Sequence, residues 1–175
     1  AALVQENGPE RLEVKRELFA RLDAAAAPDT ILASSSSALP ASTFSADLPG
    51  ARRCLVAHPV NPPHLIPLVE VMGNDHTRPS AVTGAEEFYK LVGKITIRVN
   101  REVPGHVANR LQAALWREAI HLVKTGVASV EDVDKAVRFT FGMRIMGAGP
   151  ILQKEFAGLD TQFAAASSIY PTLCN

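Results

Sequence analysis

Residues 55–71 read LVAHPVNPPHLIPLVEV, and the fold turns on how they are read. An apolar run ending at Ala57 delivers His58 into a Pro/Asn-rich turn, and a second apolar run carries Glu70 in its interior. Short apolar runs bounded by turn residues read as buried strands. Upstream, TILASSSS (30–37) is a strand running out into serines, and AALVQE (1–6) is a strand before a turn at Asn7-Gly8. Downstream, KITIRVN (94–100) alternates as a strand should. Helical patterns fall between them. PERLEVKRELFARLDAAAA (9–27) places Leu12, Leu18, Phe19 and Leu22 at helical spacing from Glu10 to Ala27, after a Pro9 that a first turn tolerates. SAVTGAEEFYKLVG (80–93) is helical as well, and ALPASTFSADLP (38–49) is a polar connection with one helical turn.

Period and composition change after Val103. Val107, Leu111, Leu115, Ala119 and Leu122 form one stripe of a long helix that ends at Gly126. Ser129, followed by Glu131 and Asp132, has the pattern of an N-cap and opens a helix to about Phe139. FGMRIMGAGP (141–150) reads as a glycine-rich loop, and two short helices follow it. Strands alternate with helices up to about residue 100, and only helices come after. The expected architecture is therefore α/β, with two domains: 1–102, part of an open α/β sheet, and 103–175, all helical.

The 175 residues carry 18 basic and 18 acidic side chains, so neither sign of charge favours nucleic acid or an acidic membrane as a partner. Cys54 and Cys174 match no zinc spacing, and a reducing, cytoplasmic setting is the simplest expectation. No apolar run is long enough for a membrane span, no signal peptide is visible, and no metal site is expected.

Ligands of open α/β sheets bind beyond the carboxyl ends of strands, where Ser34–Ser37 and His58 with Asn61 are expected. Glu70 differs, because a carboxylate buried in an apolar run needs a partner. Paired with His58 it would hold one imidazole tautomer and stabilise the ring when it takes a proton. The residues alone leave a second reading open: His58 bonded to backbone and Glu70 pointing outward from an edge strand. The serines could be ordinary loop, Asn109 a solvated helix residue, and Arg144 a surface arginine. His64, His76, His106 and His121 show no ligand spacing. Gly-x-Gly-x-x-Gly after a strand is absent from these residues.

ASSSSAL, LVAHPVNPPHLIPLVEV, EVPGHVANRL and Gly142-Met143-Arg144 together resemble segments of the L-3-hydroxyacyl-CoA dehydrogenase family, most closely its lambda-crystallin/L-gulonate 3-dehydrogenase branch. The resemblance implies the carboxyl-terminal half of a Rossmann-like NAD-binding domain followed by the helical dehydrogenase domain. In it His58 resembles the base that takes the hydroxyl proton as hydride leaves for NAD, and Glu70 its carboxylate partner. Ser37 resembles the residue that bonds the reacting oxygen near the nicotinamide, and Asn109 the amide that holds the substrate oxygen. Asn61 falls at a turn asparagine near the site, and Glu6 and Lys15 match positions lining the cofactor site.

Members of that family begin with a strand, a glycine-rich loop and a helix. This chain opens at AALVQENGPE, so it is expected to be part of a longer protein whose preceding strands would cover the sheet's apolar edge. The implied reaction is oxidation of the 3-hydroxyl of a free acid such as L-gulonate. Arg144 would clamp its carboxylate. The alternatives are a 3-hydroxyacyl-CoA dehydrogenase of fatty-acid metabolism, a non-catalytic crystallin-like relative, and a dimerisation fragment. A homodimer through the helical domain is the expected assembly, with Trp116 in the core or at the dimer contact.

Overall fold

The computed structural model describes residues 1–174; Asn175, the last residue of the expected helical domain, lies outside them. The chain divides into two compact units, one running from Ala1 to Arg110 and one from Leu111 onward.

The first unit is a five-stranded sheet in the order β1 (Leu3–Glu6), β2 (Ile31–Ser34), β3 (Cys54–Pro59), β4 (Leu68–Met72), β5 (Ile95–Val99). Strands β1, β2 and β3 run parallel; β4 is antiparallel to β3, and β5 is parallel to β4. Helix α1 (Leu12–Ala25) returns the chain from β1 to β2, the single turn α2 (Ser42–Ser45) lies between β2 and β3, and α3 (Pro79–Leu91) joins β4 to β5. Between β3 and β4 there is only the turn 60–67, short enough for an antiparallel pair without a crossover helix.

Side chains alternate across a strand, so each strand supplies both faces. Ile31, Ala33, Leu55, Ala57, Val69 and Val71 pack with Ala81, Ala85 and Tyr89 of α3. Leu32, Cys54, Val56, Met72 and Val99 pack on the other face with Phe19 of α1 and Phe44 of α2, whose rings stand 4.6 Å apart. Each such large apolar side chain contributes roughly 1.5–3 kcal/mol when fully buried. The Arg53–Asp23 ion pair, 2.7 Å long and nearly sealed from solvent, ties the turn just before β3 to α1.

Two sequence expectations need correcting. Glu10, read as the start of the first helix, stands before it, because its carboxylate turns to the loop after β2. The glycine-rich loop at 141–150 is instead α6 (Phe141–Gly147). Gly142 there is not a turn residue: a Cβ would lie 2.5 Å from the Val137 carbonyl oxygen, so glycine permits the close approach of α6 to the preceding helix.

In the second unit, α4 (Ala108–Lys124), which begins in the sheet unit, is followed by α5 (Val130–Arg138), α6, α7 (Pro150–Phe156) and α8 (Leu159–Ile169). Ser129 caps α5 as its sequence suggests, its hydroxyl accepting from the Asp132 N–H at 3.1 Å. Among the described residues none beyond Arg110 is buried; Trp116, Ile120, Phe139, Met146, Phe156 and Phe163 are all exposed. Among the described residues no helix is long and apolar enough to cross a membrane.

Candidate active site

His58 and Glu70 are direct cross-strand partners in the β3–β4 register, and the alternation of both strands puts them on the face that α1 covers. His58 Nδ1 and Glu70 Oε2 are 2.9 Å apart. Glu70 is fully buried, and its other oxygen, Oε1, accepts from the backbone N–H groups of Val107 and Ala108, both at 2.9 Å. These donors are at the start of α4, where unpaired N–H groups and the helix dipole favour a negative charge. Burial alone would push the Glu70 carboxyl up. The bonds from His58, Ala108 and Val107, together with the charge on His58, outweigh it and hold the carboxyl below its ordinary value. An ionised carboxylate can only accept, so Nδ1 of His58 carries a proton, and in the neutral ring this leaves the lone pair on Nε2. Among the described residues, Nε2 has no protein partner.

The loop after β2 lies beside this pair on the same face. Ser34 Oγ donates to Glu6 Oε2 at 2.6 Å, and Ser36 Oγ donates to Glu10 Oε1 at 2.6 Å. The Lys15 ammonium, with no exposed surface, bonds Glu6 at 3.0 Å and lies 3.6 Å from Glu10. Burial raises the Glu10 carboxyl, but the bonds from Ser36, Ala38 and Leu39 and the Lys15 charge hold it below its ordinary value. Glu6 thus spends its carboxylate on Lys15, on Ser34 at the end of β2 and on the Gly8 N–H, and Lys15 spends its ammonium on Glu6 and on Glu10, the carboxylate that holds Ser36 of the loop.

Of the other expected site residues, Ser37 is half-buried, and its carbonyl accepts a long bond, 3.4 Å, from Asn109 Nδ2. The structure brings Ser37, Asn109, His58 and Glu70 into one neighbourhood. Asn61 is exposed in the 60–67 turn. Arg144 belongs to the second unit; it is exposed on α6 and lines a cleft of about 890 Å³ with Phe141, Ile145, Phe156, Gln153 and Lys154.

Sequence reasoning missed His106. It is buried, its Nε2 is 2.9 Å from the Ser36 carbonyl, and its ring centroid lies 5.3 Å from that of His58. Its backbone is left-handed, φ 51°, directly after Gly105 at φ 77°. A non-glycine residue there costs about 1–2 kcal/mol, so neighbouring contacts must hold it. Pro104-Gly105 directly before a helical stripe was the available signal: it marks a tight entry into a helix start. The serine run was singled out, but the pairing of Ser34 with Glu6 and of Ser36 with Glu10 was missed; the alternation of β2 through the run was its signal.

A different cleft, of about 650 Å³, lies at the carboxyl ends of β4 and β5 and is lined by Asn74, Arg98 and Arg101 among others. Because β4 opposes β3, this cleft adjoins the start of β3 and not its His58 end.

Residues 1–103 match the family described as 3-hydroxyacyl-CoA dehydrogenase, NAD binding domain, and residues 105–174 match 3-hydroxyacyl-CoA dehydrogenase, C-terminal domain. The chain is 48% identical over 158 residues to an L-carnitine dehydrogenase of Streptomyces coelicolor, covering 90% of this chain and 50% of that protein. It is 50% identical over 159 residues to a 3-hydroxyacyl-CoA dehydrogenase of Gibberella moniliformis, covering 90% of this chain and 49% of that one. The chain thus spans about half the length of these relatives. A solved structure of 5-formyl-3-hydroxy-2-methylpyridine 4-carboxylic acid 5-dehydrogenase, an NAD+ dependent dismutase, superposes with a TM-score of 0.95 at 35% identity, covering 100% of this chain and 57% of that one.

Proposed function

This chain belongs to the 3-hydroxyacyl-CoA dehydrogenase family, and from that premise we propose that it carries the acid–base residues of an NAD-dependent oxidation of a free 3-hydroxy acid to its 3-oxo acid. The observation behind this reading is the His58–Glu70 pair, with its second carboxylate oxygen held by the start of α4. His58 Nε2 takes the proton of the substrate hydroxyl. Glu70 keeps Nδ1 protonated and stabilises the imidazolium that results. The Ser37 hydroxyl donates to the reacting oxygen, and Asn109 holds that oxygen from the first turn of α4.

NAD, when bound, supplies the hydride acceptor. The residues present fit it. The carboxyl ends of the parallel strands β1, β2 and β3 face one way, Ser37 lies just beyond the end of β2 and Asn61 just beyond the end of β3, and such strand ends are where dinucleotides bind. Ser37 and Asn61 would hold it, and Glu6 and Lys15 would keep the serine loop in place beneath it.

The substrate class rests on the relatives and on Arg144. L-carnitine is itself a free 3-hydroxy acid, and several relatives carry its name. That name replaces the lambda-crystallin/L-gulonate branch expected from the sequence. Arg144 and Lys154, both lining the cleft in the helical unit, suit a carboxylate. A CoA thioester is the second reading, favoured by the Gibberella relative. The exposed apolar side chains of α4–α8 suit a second copy, so a homodimer through the helical unit is part of the proposal, as is a cytoplasmic setting for its two free cysteines. Initial rates of NADH formation by the full-length protein, with L-carnitine, L-gulonate and 3-hydroxybutyryl-CoA side by side, test this. The free acids should be preferred; a thioester preference would install the second reading.

A further inference from the structure

We propose that His106 is a positioning residue for the His58–Glu70 pair, acting through its hydrogen bond to Ser36. The inference rests on the reading of His58 as the base. A carbonyl can only accept, so His106 Nε2 carries the proton of its 2.9 Å contact with the Ser36 oxygen, and Nδ1 is left buried without a partner. An imidazole sealed from solvent, with one nitrogen orphaned and its backbone in the left-handed region, is unfavourable locally on three counts. What this residue anchors lies immediately next to it. Val107 and Ala108 are the two residues whose N–H groups hold Glu70 Oε1, which leaves Oε2 free for His58.

Polar contacts, joined by the backbone between His106 and Ala108, form a continuous path. Lys15 and Glu10 fix Ser36, Ser36 fixes His106, His106 fixes the first N–H groups of α4, and these fix Glu70 and through it the ring of His58. The His106 ring also lies against the His58 ring, tilted by 58°, and limits its rotation. His106 touches no reacting atom in this scheme. It sets the geometry of the atoms that do, and it locks the serine loop carrying Ser37 to the same frame.

The test uses two variants. His106→Phe keeps a ring against His58 and loses the donor; His106→Gln keeps a donor of similar reach and loses the ring. In the full-length protein, amide hydrogen exchange at Val107 and Ala108 and the nitrogen shifts of the His58 ring are read first, because neither depends on activity. His106→Phe should speed exchange at both amides by about tenfold or more and turn the single Nδ1–H form of His58 into a mixture. It should lower kcat with KM for NAD unchanged. His106→Gln should restore all three. Protected amides, an unchanged His58 tautomer and an unchanged kcat in His106→Phe would overturn the proposal. So would a normal Phe variant beside an impaired Gln variant. Should the Phe variant not fold, the Gln variant decides: native exchange and tautomer sustain the proposal, and their loss ends it. His58→Ala run in parallel separates the two readings. If that variant retains the oxidation rate, the assignment of the base fails, while the exchange and tautomer data still judge His106.

Discussion

His58 and Glu70 stand directly opposite each other on antiparallel strands, with Nδ1 and Oε2 2.9 Å apart, and the carboxylate of that pair also caps the start of a helix. One buried side chain therefore joins three elements: β3, β4 and α4.

That junction predicts a stability difference between two substitutions. Glu70→Ala strands the His58 ring and the N–H groups of Val107 and Ala108 in a buried place, and should cost about 2–4 kcal/mol. Glu70→Gln keeps the volume and one oxygen acceptor for the Val107 and Ala108 N–H groups, and should cost less while still lowering the oxidation rate. Urea unfolding of both variants measures this; equal losses would show that the capping contacts contribute nothing.

Acid should weaken the sheet unit through Glu70 and Glu10. Both carboxyls are held below their ordinary value in the folded protein. Lowered groups of this kind contribute stability that is fully present above the unfolded value, near 4.3, and lost as pH falls through the folded values. The urea midpoint should thus be flat with respect to these groups near neutrality and fall below about pH 4.3. Glu70→Gln should flatten that fall; an acid profile identical to that of the parent would contradict the assignment.

Arg144 should matter for free acids and not for thioesters. Arg144→Ala is expected to raise KM for a free 3-hydroxy acid by about tenfold or more, as lost charge-assisted contacts do, and to leave 3-hydroxybutyryl-CoA unaffected. An unchanged KM for the free acid would remove the carboxylate clamp from the account.

Thiol reactivity should be uneven. Burial, with the Asp23 carboxylate adding to it, pushes the Cys54 thiol up to about 12; the bond to the Glu118 carboxylate also raises the Cys174 thiol, but that one is partly exposed. A neutral disulfide reagent at pH 8 should label Cys174 in the native protein and Cys54 only on unfolding. Rapid labelling of both would mean that β3 is less well packed than described.

Much of this was legible in the sequence, for identifiable reasons. Strands β1 to β5 and helices α1, α3 and α4 follow from apolar period and turn residues, and Ser129 announced its own cap. His58 and Glu70 were visible as a histidine at a strand end and a carboxylate within an apolar run. Their facing register was not, since it depends on β4 reversing direction after a short turn. Gly142 misled because a glycine demanded by close helix approach looks, in one dimension, like a glycine demanded by a turn. The role of His106 was hard to read because Ser36, which it contacts, and Glu70, which its neighbours Val107 and Ala108 hold, are remote in sequence and meet it only through the fold.

The most direct measurement is the initial rate of NADH formation by the full-length protein and its His58→Ala variant, with L-carnitine and other free 3-hydroxy acids at pH 9. Loss of the base should reduce the rate by about a hundredfold or more while leaving the fold, judged by the near-ultraviolet circular dichroism, in place. A His58→Ala protein that is folded and oxidises these acids at the parent rate would contradict the account at its centre.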